Sequence, residues 1–121
     1  MQIGIQSSGF KLTEGLRSRC ERRLRFALGS AISKVRSVLI RLTDENGPRG
    51  GIDKRCTIRA ILRQAPLVII VQDEADLYVA IDRAADRVAR TISRRLRRTR
   101  SVRRAPIAML SDDNAVDSRG S

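Results

Sequence analysis

The C-terminal half of the chain carries the clearest pattern of apolar and polar positions. Apolar residues recur there at every third or fourth position, which is the period of one helix face: Leu77, Ile81, Ala84, Val88, Ile92 and Leu96. This repeat predicts an amphipathic helix over about residues 76–98. A shorter repeat of the same period follows Thr13, a favourable N-cap residue, and predicts a first helix that ends near Gly29.

Strand patterns account for most of the remaining sequence. Apolar and polar residues alternate in residues 2–6, 32–43 and 56–63, and an apolar run occupies residues 67–72. Between the second and third of these segments the sequence is dense in Asn, Pro and Gly, which predicts a hairpin. The resulting order, β-α-β-β-β-α, predicts an α+β fold with a four-stranded, mostly antiparallel sheet and both helices on one face.

The composition of the chain changes after residue 104. All predicted helices and strands lie in residues 1–104, which is long enough for one modest core. The chain ends in SDDNAVDSRGS, which is polar, acidic and without periodicity. We therefore expect one folded domain, residues 1–104, and a disordered tail, residues 105–121.

Positive charge is concentrated on the second predicted helix. A net charge of +12 and a pI near 11.5 favour an anionic partner, most commonly nucleic acid. Five arginines, spaced four, three, four and three apart, form an arginine stripe opposite the apolar repeat: Arg83, Arg87, Arg90, Arg94 and Arg97. A solvated helix face normally mixes charge signs, but residues 87–104 contain no acid. The stripe therefore predicts a nucleic-acid-binding face.

The first predicted helix is also basic. Arg22 and Arg25 point away from its apolar side, whereas Arg17 and Arg23 lie at the border, where a long side chain serves either the core or a ligand. All but three of the 25 basic residues are arginine. Arginine suits bidentate phosphate binding and RNA recognition, although a GC-rich coding bias produces the same preference.

The residue inventory argues against catalysis and metal binding. The chain has no histidine, and its two cysteines, Cys20 and Cys56, are too few for a structural zinc site and lack an imidazole partner. Both cysteines fall at apolar positions, so we expect them in the core of a cytoplasmic protein. Five acids are expected at turns or helix caps: Asp44, Glu45, Asp73, Glu74 and Asp76. We expect no enzymatic activity, cofactor, metal or small-molecule substrate.

Aromatic residues are too few for a base-stacking platform, since the chain has only Phe10, Phe26 and Tyr78. Recognition is therefore expected through phosphate, ribose and shape. The N-terminus lacks a signal-peptide pattern and no run of 18 apolar residues occurs, so neither export nor membrane spanning is expected. A membrane-surface helix is the less favoured alternative, because its apolar side is needed for the core.

Two stretches resemble a known protein family. The hairpin motif RLTDENGPRGGIDKRCTI and the helix start DEADLYVAIDRAADRVARTISRRLRR are similar to the ribosome hibernation-promoting factor and ribosome-associated inhibitor family, also called sigma-54 modulation or ribosomal subunit interface proteins. The N-terminal IQSSGFKLTEGLRSRCERRL resembles the opening strand and first helix of that family. The chain looks like a short member, because residues 105–121 do not resemble the second, dimerising domain of the long members.

The resemblance implies a fold similar to a double-stranded-RNA-binding domain and a role in ribosome hibernation. Members bind the small ribosomal subunit and its rRNA near the decoding channel, block mRNA and tRNA, and silence translation in idle cells, for example under stress or in stationary phase. By position, the resemblance implies rRNA contacts for Arg22, Arg23, Arg87, Arg90 and Arg94. The charge pattern extends the candidate rRNA-binding set to Arg25, Arg83, Arg97 and Arg98. We expect a monomer when free; the alternative function is a generic RNA- or DNA-binding regulator.

Overall fold

The elements follow each other in the predicted order. The computed structural model describes residues 1–45 and 53–104, with the backbone alone for residues 100–104. Its elements are β1 (Gln2–Ser8), α1 (Glu14–Leu28), a 3-10 segment (Gly29–Lys34), β2 (Val35–Asp44), β3 (Lys54–Leu62), β4 (Val68–Glu74) and α2 (Leu77–Arg104). The expected tail, residues 105–121, and most of the hairpin loop lie outside the described residues.

The four strands form one sheet in chain order. β1 pairs with β2 in parallel, and the β2–β3 and β3–β4 pairs are antiparallel, which confirms the predicted mostly antiparallel sheet. Ile5, Ile40, Ile58 and Ile70 pair in one row across all four strands, and all four are buried. Because side chains alternate along a strand, this row fixes which face of the sheet is covered.

Both helices pack on that face and close a single core. The main buried helix residues are Leu16, Cys20 and Leu24 from α1 and Ile81, Val88 and Ile92 from α2. Cys20 and Cys56 are both buried and free, as predicted. Burial raises the pKa of the Cys20 thiol to about 11 and that of Cys56 to about 12, so both thiols stay protonated at neutral pH.

Helix boundaries follow the capping signals in the sequence. The Thr13 hydroxyl oxygen accepts a hydrogen bond from the backbone N–H of Leu16 at 3.1 Å, and α1 ends at Gly29, which has a positive φ of 55°. The predicted second strand was too long at its start, because residues 29–34 form the 3-10 segment. α2 runs beyond the predicted residue 98 to Arg104, since no Gly or Pro interrupts that stretch.

Candidate nucleic-acid interface

The arginine stripe lies on the solvent side of α2. All five arginines are exposed, and Ala84, Val88 and Ile92 on the opposite side are completely buried. The helix begins behind Asp76, whose Oδ1 accepts a hydrogen bond from the backbone N–H of Tyr78 at 2.8 Å. The predicted cap role of Asp76 is thus confirmed.

The first two arginines of the stripe reach back to the edge strand β4. Arg83 Nη1 lies 3.0 Å from Glu74 Oε2. Arg87 Nη1 donates to the Val71 carbonyl at 2.7 Å and to Gln72 Oε1 at 2.8 Å. Hydrogen bonds from Gln72 and then from Arg83 hold the pKa of Glu74 below its ordinary value. Arg83 and Arg87 therefore already have partners within the protein.

The last three arginines of the stripe have no acidic partner. Among the described residues, Arg90 and Arg97 make no hydrogen bond and no ion pair, and Arg94 makes only a 3.4 Å contact with the Thr91 hydroxyl. Arg98 is also exposed. The guanidinium groups of Arg90, Arg94 and Arg97 are therefore available to take phosphate oxygens from outside the protein.

A clamp of four charged residues joins α1 to α2. Arg19 Nη2 lies 2.9 Å from Asp82 Oδ2, and Arg23 contacts Asp82 Oδ1 at 3.3 Å and Asp86 Oδ1 at 2.7 Å. The side chain of Arg23 is only 22% exposed. Arg23, which the sequence left between a core and a ligand role, therefore forms ion pairs within the protein. The clamp also occupies both acids of α2.

The other two candidate arginines of α1 face solvent. Arg22 Nε makes a single 3.4 Å contact with the Ser18 carbonyl, and Arg25 has no hydrogen bond or ion pair among the described residues. Arg19 contacts Asp82, and Arg23, four residues later in α1, contacts Asp86, four residues later in α2. The two helices therefore run in the same direction. We call the exposed arginines of the two helices the helical face: Arg22, Arg25, Arg90, Arg94 and Arg97.

Phe26 is an exposed residue of α1 that the sequence analysis did not select. Its side chain is 84% exposed, the largest exposure of any bulky apolar residue described. At 100° per residue it projects between Arg22 and Arg23, on the flank of α1 that turns toward α2. A helical wheel of the first repeat places it away from the apolar side, so the signal was present in the sequence. Phe26 therefore adds apolar surface to a region where only charge was expected.

Three of the acids belong to strands and not to the expected turns and caps. Asp44 is the last residue of β2. Asp73 and Glu74 belong to β4, where Asp73 pairs with Arg55 on β3 at 2.7 Å and Glu74 pairs with Arg83. Hydrogen bonding from Arg55 holds the pKa of Asp73 below its ordinary value. The sequence prediction was wrong for these three residues because β2 continues one position beyond its predicted end and β4 continues two positions beyond its apolar run.

Neither a metal centre nor a membrane span is found in the described part of the chain. No group of three or more Cys, Asp or Glu side chains is arranged to hold a metal ion in residues 1–45 and 53–104. Over the same residues, no helix combines the length and the apolar character that crossing a bilayer demands. The exposed cationic surface is thus the chemical feature that sets the helical face apart.

Comparison with known proteins gives the family. Residues 3–100 match the family model described as "Sigma 54 modulation protein / S30EA ribosomal protein". The chain belongs to this family. The family is a group of ribosome-associated factors and not a family of enzymes, so the chain is a ribosome-associated protein of the subunit-interface type. No curated protein sequence matches the chain.

Two solved structures show the same fold. The N-terminal domain of Protein Y from Thermus thermophilus is 26% identical, with a TM-score of 0.65 over 78% of this chain and 98% of that one. A ribosomal subunit interface protein from Coxiella burnetii is 15% identical, with a TM-score of 0.67 over 78% of this chain and 96% of that one. The second likeness supports the fold alone. The family match confirms the resemblance that the sequence motifs indicated, and the two structures confirm the fold.

Proposed function

We propose that the protein binds the small ribosomal subunit through its helical face and silences translation in idle cells by occupying the region near the decoding channel. Bound there, it blocks the entry of mRNA and tRNA. The fold and family support a ribosome-associated role, and the helical face supplies the chemistry for rRNA. The single observation that carries the proposal is a row of exposed arginines, Arg90, Arg94 and Arg97, without an acidic partner in residues 1–45 and 53–104.

The mode of binding follows from the side chains available. Guanidinium groups donate two parallel hydrogen bonds to a phosphate, so a row of them recognises the spacing of a folded RNA backbone rather than a base sequence. rRNA presents such a backbone in a fixed three-dimensional shape. The ion pairs of Arg23 and Arg83 hold the first turns of α2 in place against α1 and β4, which lowers the cost of ordering this surface on binding.

Co-sedimentation with vacant small subunits tests the proposal. With about five arginines on phosphates, the dissociation constant should rise with a log–log salt slope of roughly 4, or about 10²-fold to 10³-fold between 50 and 200 mM salt. Excess mRNA with initiator tRNA should displace the protein, and purified protein should inhibit translation in vitro. Binding that withstands this competitor would contradict a site in the decoding region.

The same measurement distinguishes the alternative function. A generic RNA- or DNA-binding regulator would bind free duplexes about as tightly as it binds small subunits, because phosphate contacts alone do not discriminate between them. We expect a clear preference for vacant small subunits over RNA and DNA duplexes at equal salt. Equal affinity for all three would favour the generic regulator.

A further inference from the structure

A basic notch lies beyond the end of α1, between the 3-10 segment and the last turns of α2. It has a volume of about 520 Å³ and is open to solvent. Three cations from separate parts of the chain line it: Lys34 of the 3-10 segment, Arg63 of the connection after β3 and Arg97 of α2. Its other lining residues include serines, a threonine and a glutamine, and none is an acid. The notch is thus a concave surface of one charge sign, with hydroxyl groups between the cations.

The backbone around the notch positions the cations. The Arg63 backbone N–H donates to the Lys34 carbonyl at 3.0 Å, and Arg63 Nε donates to the Ser33 carbonyl at 3.2 Å. These two bonds fix the Arg63 guanidinium against the 3-10 segment. Its Nη groups have no hydrogen bond or ion pair among the described residues, and the same holds for Lys34 Nζ.

Two hydroxyl groups complete the donor set. Ser30 and Ser93 line the notch, and neither hydroxyl is engaged in a hydrogen bond within the described residues. Hydroxyl donors together with ammonium and guanidinium groups are the usual ligands of phosphate oxygens. A space of this size exceeds what one phosphate needs and accommodates an adjoining ribose as well.

We propose that this notch binds a phosphate-ribose segment of the RNA backbone, next to the helical face. Arg97 belongs to both surfaces, so an RNA strand lying along the arginine stripe reaches the notch without leaving the protein. The cations Lys34 and Arg63 then take a phosphate that the stripe cannot reach. This inference rests on the proposed function for its partner, but two of the three cations of the notch, Lys34 and Arg63, lie outside the candidate rRNA-binding set.

Charge removal at the notch tests the proposal with the full chain. In the double variant Lys34→Gln with Arg63→Gln, affinity for vacant small subunits should fall roughly 10- to 100-fold at moderate salt. The magnitude of the log–log salt slope should fall by about 0.7–0.9, because one phosphate contact is lost. The variant Lys34→Arg with Arg63→Lys, which keeps both charges, should restore most of the slope. Circular dichroism should show unchanged helix content.

A matched control separates a site from net charge. Arg41→Gln with Arg59→Gln removes the same two charges from the face of the sheet opposite the helices, and should leave the slope unchanged. If both double variants lower the slope equally, the effect is one of net charge and the notch is not a site. Wild-type slope and affinity in the notch variant would overturn the proposal as well.

A second RNA ligand tests the notch independently of the proposed ribosomal function. If the wild-type protein does not bind small subunits, the proposed function fails, and the same variants are then compared on a single-stranded RNA of about ten nucleotides. A lower slope for the notch variant, with the control unchanged, still supports the notch. Equal slopes for all proteins, or no binding of this RNA by wild type, would overturn it.

Discussion

The helical face and the exposed face of the sheet are both basic, yet they differ in how their unpaired charges are spaced. On the sheet, Arg55 pairs with Asp73 at 2.7 Å, and Arg41 donates to the neutral side chain of Gln6 at 3.1 Å. On the helical face, Arg90, Arg94 and Arg97 follow one another at helix spacing without an acidic partner in the described part of the chain. The number of arginines thus does not locate a binding surface. A row of closely spaced arginines without counter-charges does.

The two faces also differ in what surrounds the charges. Ile61, Ile69 and Val71 are between 43% and 55% exposed on the sheet, so the arginines there alternate with apolar side chains. Alternation is the ordinary outcome of strand period when one side of a sheet is open. Phosphate recognition needs closely spaced cations instead, and the helix period provides them at every third or fourth residue.

Reversing two charges on each face in turn should produce the largest difference in subunit affinity between the two faces. Arg90→Glu with Arg94→Glu should lower affinity for vacant small subunits by about 10²-fold to 10⁴-fold, because two charge-assisted hydrogen bonds of about 1.5–3 kcal/mol each are lost. Both positions are exposed and lack acidic partners, so the folded structure should persist. Gradient co-sedimentation measures the binding and circular dichroism the helix content.

The control for this reversal lies on the sheet. Arg41→Glu with Arg59→Glu changes the net charge of the chain by the same amount but alters only the sheet face. We expect it to retain most of the affinity, apart from the general loss of long-range attraction, which salt screens. If the sheet variant loses as much affinity as the helical variant at 150 mM salt, the assignment of the binding surface to the helices is wrong.

Exposed apolar residues allow a second comparison between the faces. Phe26→Ala should weaken subunit binding about 5- to 100-fold, since contact of an aromatic ring with a base is worth about 1–3 kcal/mol. It should leave the salt slope unchanged, because no charge is removed. Ile69→Ala on the sheet is the matched control and should have little effect on binding. A Phe26→Ala variant that binds like the wild-type protein would restrict the helical face to phosphate contacts.

The sequence was sufficient for the fold and for the stripe, because both depend on local periodicity. The apolar repeat on α2 and the caps at Thr13 and Asp76 are local signals, and the structure bears them out. The role of Arg23 depends on Asp86, which lies 63 residues away and meets it only after folding. The basic notch could not be predicted from the sequence either, since its cations come from the 3-10 segment, the connection after β3 and α2. Local patterns were thus sufficient to predict the arginine stripe, whereas the ion pairs within the protein became visible only in the folded structure.

The clamp between α1 and α2 tests which arginines of α1 belong to the helical face. Arg23→Met should lower the free energy of unfolding by about 1 kcal/mol, because its ion pairs with Asp82 and Asp86 are partly exposed. Arg22→Met should change it by less than about 0.5 kcal/mol and should weaken subunit binding instead. Urea unfolding and co-sedimentation on both variants measure this crossed pattern. Equal losses of binding with unchanged stability would place Arg23 on the RNA.

The smallest effect is expected where the helical face meets the sheet, at the pair of Arg83 and Glu74. Because hydrogen bonds from Gln72 and then Arg83 lower the pKa of Glu74, the carboxylate stabilises the fold fully above its ordinary pKa of 4.5. This contribution is lost as the pH falls through the lowered value. Arg83→Gln should raise the pKa of Glu74 only part of the way toward 4.5, since the bond from Gln72 remains. An NMR titration of the Glu74 carboxyl measures the change.

Arg90→Gln provides the contrast for that titration, because Arg90 has no contact with Glu74 and should leave its pKa unchanged. In binding to small subunits, Arg90→Gln should have the larger effect of the two variants. Arg83 must give up a carboxylate before it takes a phosphate, whereas Arg90 gives up only water, so Arg83→Gln should lower the salt slope less than Arg90→Gln does. If the two slopes fall equally, the ion pair opens on binding, and the helical face extends to the β4 edge of the sheet.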